Sequence, residues 1–235
     1  MLTTAERTLA REHQTSISAL TDIVQREVSR LVTSLEGGSP ALVREALRDL
    51  VPSVVNRYGD AAAALAMDYF EMAREAAEVP GMFIPMPASA PPRARLDESI
   101  RWAVGALVGD DPSFDALGGR LGGSVSRAVI DVATETITGA TVKDKRANGW
   151  SRIVEPNGCK FCRMLADRGA VYSGESVRFA SHDNCRCSAA PRFRVGPNDV
   201  PAGPVQYAAS KRREKRTEAD KRRVREYLAA HYPAG

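Results

Sequence analysis

Histidine is scarce in this 235-residue chain: His13, His182 and His231 are the whole supply. His13 and His231 lie near the termini and His182 sits among cysteines, so a Ser–His–acid triad lacks an evident base. Neither G-x-S-x-G nor H-E-x-x-H occurs. Long apolar runs are missing as well. No stretch approaches the roughly 20 apolar residues of a membrane span, which predicts no membrane partner. Met1 to Ala10 holds Glu6 and Arg7 and lacks the apolar segment of a secretory leader. The expectation is therefore a protein of the reducing cytoplasm, where thiols stay reduced or bind metal. Aromatic residues make up only 6%. The pairs Gly118-Gly119 and Gly122-Gly123 match neither G-x-x-x-x-G-K-[ST] nor G-x-G-x-x-G and follow no strand, which argues against a phosphate loop.

What is present is mostly helix-forming. Hydrophobic residues reach 43%, enough for a core, and alanine and arginine are abundant. Ile17, Leu20, Val24, Val28, Leu31 and Leu35 recur every three or four residues and predict a helix from Leu9 to Leu35. Gly37, Gly38 and Pro40 end it and open the next, over Ala41 to Glu78, with Pro52 and Gly59 expected to kink or split it. Tyr58, Tyr69 and Phe70 fall on that helix's apolar face and read as packing residues. Five prolines between Val79 and Pro92 predict an extended linker. Further helices are predicted over Arg93 to Val108 and, after an Asp-Asp-Pro-Ser turn, over about Ser113 to Lys145.

The character changes at Gly149. Short β-like pieces follow at Trp150 to Val154, Val171-Tyr172, Val177 to Phe179 and Arg186 to Phe193. A unit of this size can hardly bury a core of its own, so a metal staple would explain how it holds shape. The expected class is a mainly α N-terminal helical region plus a small zinc-stapled α+β C-terminal module. Its divisions are 1–92, a helical region with the Pro-rich linker; 93–148, central helices; 149–195, the metal module; and 196–235, a second linker and a basic helical tail, with helix expected from Tyr207 to Tyr232.

All four cysteines lie between positions 159 and 187, with His182 among them. Cys159-x2-Cys162 and His182-x2-Cys185-x-Cys187 provide five ligands for the four places of tetrahedral zinc. Cys159, Cys162 and Cys185 rank first, with His182 and Cys187 competing for the fourth place. A ligand set this full describes a closed structural Zn2+ site, whereas catalytic zinc keeps a place open to water. Zinc deaminases place their His-x-Glu before the Cys-x2-Cys, and the order here is reversed.

The stretch Gly149-Trp150 … Asn157-Gly158-Cys159-Lys160-Phe161-Cys162-Arg163-Met164-Leu165-Ala166 … Arg168-Gly169 … Val171-Tyr172 … His182-Asp183-Asn184-Cys185-Arg186-Cys187 resembles the C-terminal signature of phage Mu F-like minor head proteins, in the form found in phages of actinobacteria. The resemblance is specific over about 149–193 and looser over 41–148. It implies a minor capsid protein inside the phage head, near the portal or on the inner shell. The expected partners are the portal or major capsid protein, and the chain would be present in several copies per virion and in the host cytoplasm during assembly. Related phage genes are often called capsid maturation proteases, which stays open as an alternative. A DNA-binding or nuclease-like zinc module is a second.

The net charge of +4 is concentrated at one end. Between Lys211 and Glu226 stand nine Lys/Arg and four Asp/Glu, or +5, leaving about −1 for the rest. The triplets Lys211-Arg212-Arg213 and Lys221-Arg222-Arg223 are ten residues apart, close to three helical turns, and can share a face toward the phosphates of packaged DNA. Internal i,i+4 pairing on a solvated helix, or docking on an acidic protein surface, would use the same charges.

Overall fold

The computed structural model describes residues 2–155, 158–167, 179, 183, 185–193 and 218–232. Helix α1 spans Thr4–Thr33. It starts five residues before the expected Leu9 because Thr3 and Glu6 form a capping box: Glu6 N–H donates to Thr3 Oγ1 (3.2 Å) and Thr3 N–H to Glu6 Oε2 (2.6 Å). Helix α2, Pro40–Ala76, opens with Ser39 as cap and Pro40 in the first turn. It runs unbroken through Pro52 and Gly59, so the expected split does not occur. Buried Val51, Val54 and Val55 hold the turns around Pro52 in place. Gly59, Ala62, Ala63 and Ala66 form a buried row of small residues, and a Cβ added at Gly59 would sit 3.5 Å from Val132 Cγ2. Small side chains here let α2 lie close against α4.

The end of α2 shows an uncommon backbone choice. Glu78 takes a left-handed conformation (φ 51°), with Glu78 N–H donating to Glu75 O (2.9 Å) and Val79 N–H to Arg74 O (3.0 Å). This is a Schellman ending in which glutamate occupies the place glycine usually takes. The proline-rich segment that follows is a strap laid on the helices. Phe83 packs on Phe70, Pro85 is buried, and Ala88 N–H donates to Thr136 Oγ1 (3.0 Å).

Helix α3 covers Arg93–Val104 and tightens into a 3-10 turn at Gly105–Leu107. Helix α4, Phe114–Lys143, is the central rod and touches α1, α2, α3 and both strands. The paired glycines do not interrupt it, since Leu121 to Ser126 are buried on every side and tertiary packing outweighs glycine's poor propensity. Its buried threonines satisfy their hydroxyls within the helix: Thr134, Thr136 and Thr141 donate to Ile130 O, Val132 O and Ile137 O.

Strand β1 (Ala147–Ile153) pairs antiparallel with β2 (Ser188–Phe193), Trp150 opposite Pro191 and Arg152 opposite Ala189. Between them in sequence lies the short helix α5, Lys160–Asp167, and helix α6 follows at Glu218–His231. The chain is thus mainly helical with one small sheet, the expected fold class. One hydrophobic cluster runs from Ala10 through α2, α3 and α4 to Trp150, Ala189, Ala190 and Phe193. The sheet therefore shares the helical core, and Phe193 meets Phe70 edge-on at 5.4 Å. The small size of the C-terminal unit loses force as a reason for a staple. Among the described residues, no helix is long and apolar enough to cross a membrane. Val171-Tyr172, most of 177–179, His182, the triplet Lys211-Arg212-Arg213 and the first part of the predicted tail helix lie outside the described residues.

Candidate metal centre

Two segments bring three thiols together. Cys162 sits in the first turn of α5, while Cys185 and Cys187 lie on the extended run into β2. In an extended chain residues two apart point the same way, so the Cys185-x-Cys187 spacing presents two sulfurs on one face. The residue between them points oppositely, and Arg186 there bonds Asp22 of α1. Cys162 Sγ is 3.3 Å from Cys185 Sγ, which is 3.2 Å from Cys187 Sγ. A tetrahedral ion with metal–sulfur bonds near 2.3 Å wants sulfurs about 3.8 Å apart, so a shift of roughly half an ångström converts this trio into a ligand set. It is the one convergence of three metal-ligating side chains among the described residues. All four cysteines are thiols, with no disulfide among them.

Cys159 is placed otherwise. It is exposed and precedes α5 as its cap: its carbonyl accepts from Arg163 N–H (3.0 Å) and its Sγ from Cys162 N–H (3.4 Å). That is the turn a Cys-x2-Cys pair uses, yet the Cys159 sulfur stands outside the trio. Of the five sequence candidates, the described residues bring Cys162, Cys185 and Cys187 together, with Cys159 beside them and His182 outside the described residues. Gly158 makes the approach to α5 possible. Its N–H donates to Glu155 O (2.8 Å), and any Cβ would run into Val154 Cγ1.

The electrostatics favour a cation. Hydrogen bonding with Cys185, then with Cys187, then burial push the Cys162 thiol far above its ordinary range. At Cys187 the bond with Cys162 lowers the value, but Cys185 and burial outweigh it and the thiol rises to about 12. Three crowded sulfurs cannot all ionise without positive charge between them, and a divalent metal supplies it. Arg152 contributes a fixed cation: its Nη1 is 3.8 Å from Cys162 Sγ, and its guanidinium lies 3.7 Å above the Phe179 ring. The donor set is soft and suits zinc or another thiophilic ion.

Long-range contacts tie the centre to the helices. Gln14 Nε2 donates to Arg186 O (3.1 Å), and Ser18 Oγ to Glu155 Oε1 (3.0 Å). Asp22 takes Arg186, and Arg127 of α4 pairs with Asp183 (2.9 Å). Gln14, Ser18 and Asp22 are four residues apart and line one face of α1. Sequence reasoning missed this polar row and Arg152. The i, i+4, i+8 spacing beside the apolar stripe was the available signal for the row; nothing local marks Arg152.

Of the other histidines, His13 is buried in α1 and stacked on Tyr69 (centroids 4.5 Å apart), and burial lowers its pKa to about 4. His231 stacks on Tyr227, and its Nδ1 lies 2.9 Å from Tyr227 O. Tyr69 and Phe70 are core residues, as their spacing predicted, while Tyr58 is half-buried and donates to Glu27. Arg222 and Arg223 are exposed on α6, which also carries Lys221.

Fold and centre together define a helical protein with a small sheet and a cysteine cluster able to hold a metal. The chain belongs to the VG15 protein family, whose model matches residues 4–210, and is a phage protein. No curated protein and no solved structure matches it.

Proposed function

We propose that this phage protein is a minor capsid protein of the Mu F-like kind, a structural component inside the head near the portal or inner shell. Its partners in this reading are the portal and major capsid proteins. Zinc held by Cys162, Cys185 and Cys187, with His182 or Cys159 as fourth ligand, fixes the C-terminal unit against α1. The observation that carries the reading is the trio itself: the residues that bear the head-protein resemblance converge on one buried, arginine-backed thiol centre in a chain of a phage family. Such a centre is built to hold shape. The test is protein mass spectrometry of purified virions, with co-purification on the portal. Presence in mature heads at several copies supports the proposal. Absence from heads, or cleavage of capsid protein by the purified chain, overturns it.

A further inference from the structure

A cleft of about 550 Å³ opens where the start of α1, the end of β1, α5 and the end of α6 meet. Four arginines line it, Arg7, Arg11, Arg152 and Arg163, together with His231, against two carboxylates, Glu155 and Asp167. The lining therefore carries four cations against two anions, a net +2. Two of the guanidiniums are anchored on main-chain oxygens: Arg7 Nη1 donates to Leu2 O (2.8 Å) and Arg163 Nη2 to Tyr232 O (3.3 Å). Glu155 is itself engaged by Ser18 Oγ at 3.0 Å. Arg11 is exposed at the rim.

The cleft does not end in a closed pocket. Helix α6 leaves it from His231 and Tyr232 and carries exposed Arg222, Arg223 and Arg225 outward. Over its 14 residues α6 extends roughly 20 Å at 1.5 Å per residue. Arg222 pairs with Glu226 at 3.8 Å, a solvent-exposed pair of little strength. Arginines that line a cleft and recur on the helix leading from it match a polymer with repeated charge better than a single carboxylate or a small anion. Guanidinium forks also fit phosphate oxygens in a bidentate way.

We infer that the cleft lined by Arg7, Arg11 and Arg163, with buried Arg152 adding charge at its base, binds the phosphodiester backbone of double-stranded nucleic acid, with α6 extending the track. Binding is independent of base sequence and falls steeply with salt. The site is distinct from the Lys211-Arg212-Arg213 triplet, and the inference stands apart from the head assignment, since it is read in solution whether or not the chain enters virions.

The test is fluorescence anisotropy of the full-length protein with a labelled DNA duplex across a salt series. Arg11→Glu alone and Arg7→Gln with Arg11→Gln are compared with Lys211→Gln/Arg212→Gln/Arg213→Gln, and thermal melting checks that each variant is folded. Loss of a charged hydrogen bond weakens binding roughly tenfold or more. The salt slope falls by about one per phosphate contact removed, equally for unrelated sequences. Cleft variants that show both effects support the inference. Unchanged binding in folded cleft variants overturns it, as does loss in the triplet variant alone. Competition by polyglutamate as strong as that by duplex DNA overturns it too, in favour of an acidic protein; equal competition by inorganic phosphate does so in favour of a small anion.

Discussion

Arg74 Nε lies 3.2 Å from Asp144 Oδ2, and both side chains are almost sealed from water, at 8% and 4% exposure. The pair joins the C-terminal turns of α2 and α4. Arg74 also donates to Gly81 O (3.3 Å) and lies over the Phe83 ring at 5.7 Å, so it anchors the proline strap too. Asp144 in turn accepts from Arg146 N–H (2.9 Å) at the entry to β1. Removing one partner leaves the other buried without its counter-charge. Arg74→Met or Asp144→Asn is expected to cost about 3–5 kcal/mol in urea unfolding, and the double variant less than the sum. Additive losses would show that the two side chains act independently.

Metal content separates the cysteines. Cys162→Ser and Cys187→Ser are expected to abolish a stoichiometry of one metal per chain measured by elemental analysis. Cys159→Ser should retain far more metal, because serine also caps a helix and the trio stays intact. Arg152→Met removes the cation beside Cys162 and is expected to weaken metal affinity about 10- to 100-fold. Equal loss in Cys159→Ser and Cys187→Ser would place Cys159 inside the bound site.

His13 gives a pH signature. Its pKa is about 4 in the fold against 6.5 in the unfolded chain. The unfolded state therefore takes up a proton as pH falls below 6.5 while the folded state does not. The stabilising contribution is complete above pH 6.5 and is lost progressively down to pH 4, at most about 3 kcal/mol. Wild type and His13→Gln melted across that window should differ in slope. Parallel pH dependences would mean that His13 titrates normally in the fold.

Glu78 holds a backbone conformation that costs a side chain about 1 kcal/mol and glycine almost nothing. Glu78→Gly is expected to stabilise the protein by roughly 0.5–1 kcal/mol, less the entropy glycine gains when unfolded. Calorimetry showing a lower melting temperature would contradict this account of the α2 ending.

Helix positions were legible where the apolar period was strong. Ile17, Val24 and Val28 of the α1 stripe are buried and Leu20, Leu31 and Leu35 pack against the core, while Leu47 of α2 and Leu121 of α4 are fully buried. The start of α1 was misplaced because the capping box at Thr3 precedes the stripe. Pro52 and the paired glycines misled because intrinsic propensity is weak beside the packing of long neighbouring helices. At the centre, the cysteine spacing gave the cluster but not how its sulfurs are arranged. That depended on α5 beginning at Lys160, which turns Cys159 into a cap and Cys162 inward. Arg152 was not legible at all, since only the antiparallel pairing of β1 with β2 sets it beside the sulfurs.

The tripeptide Cys185-Arg186-Cys187 faces two ways, sulfurs to the centre and guanidinium to Asp22, while Gln14 grips its carbonyl. Loosening that tripeptide is expected to speed amide hydrogen exchange in α1 around positions 14–22, more than 160 residues away in sequence. Under the proposed metal binding, helix α1 is then the reporter of the state of the cysteine cluster.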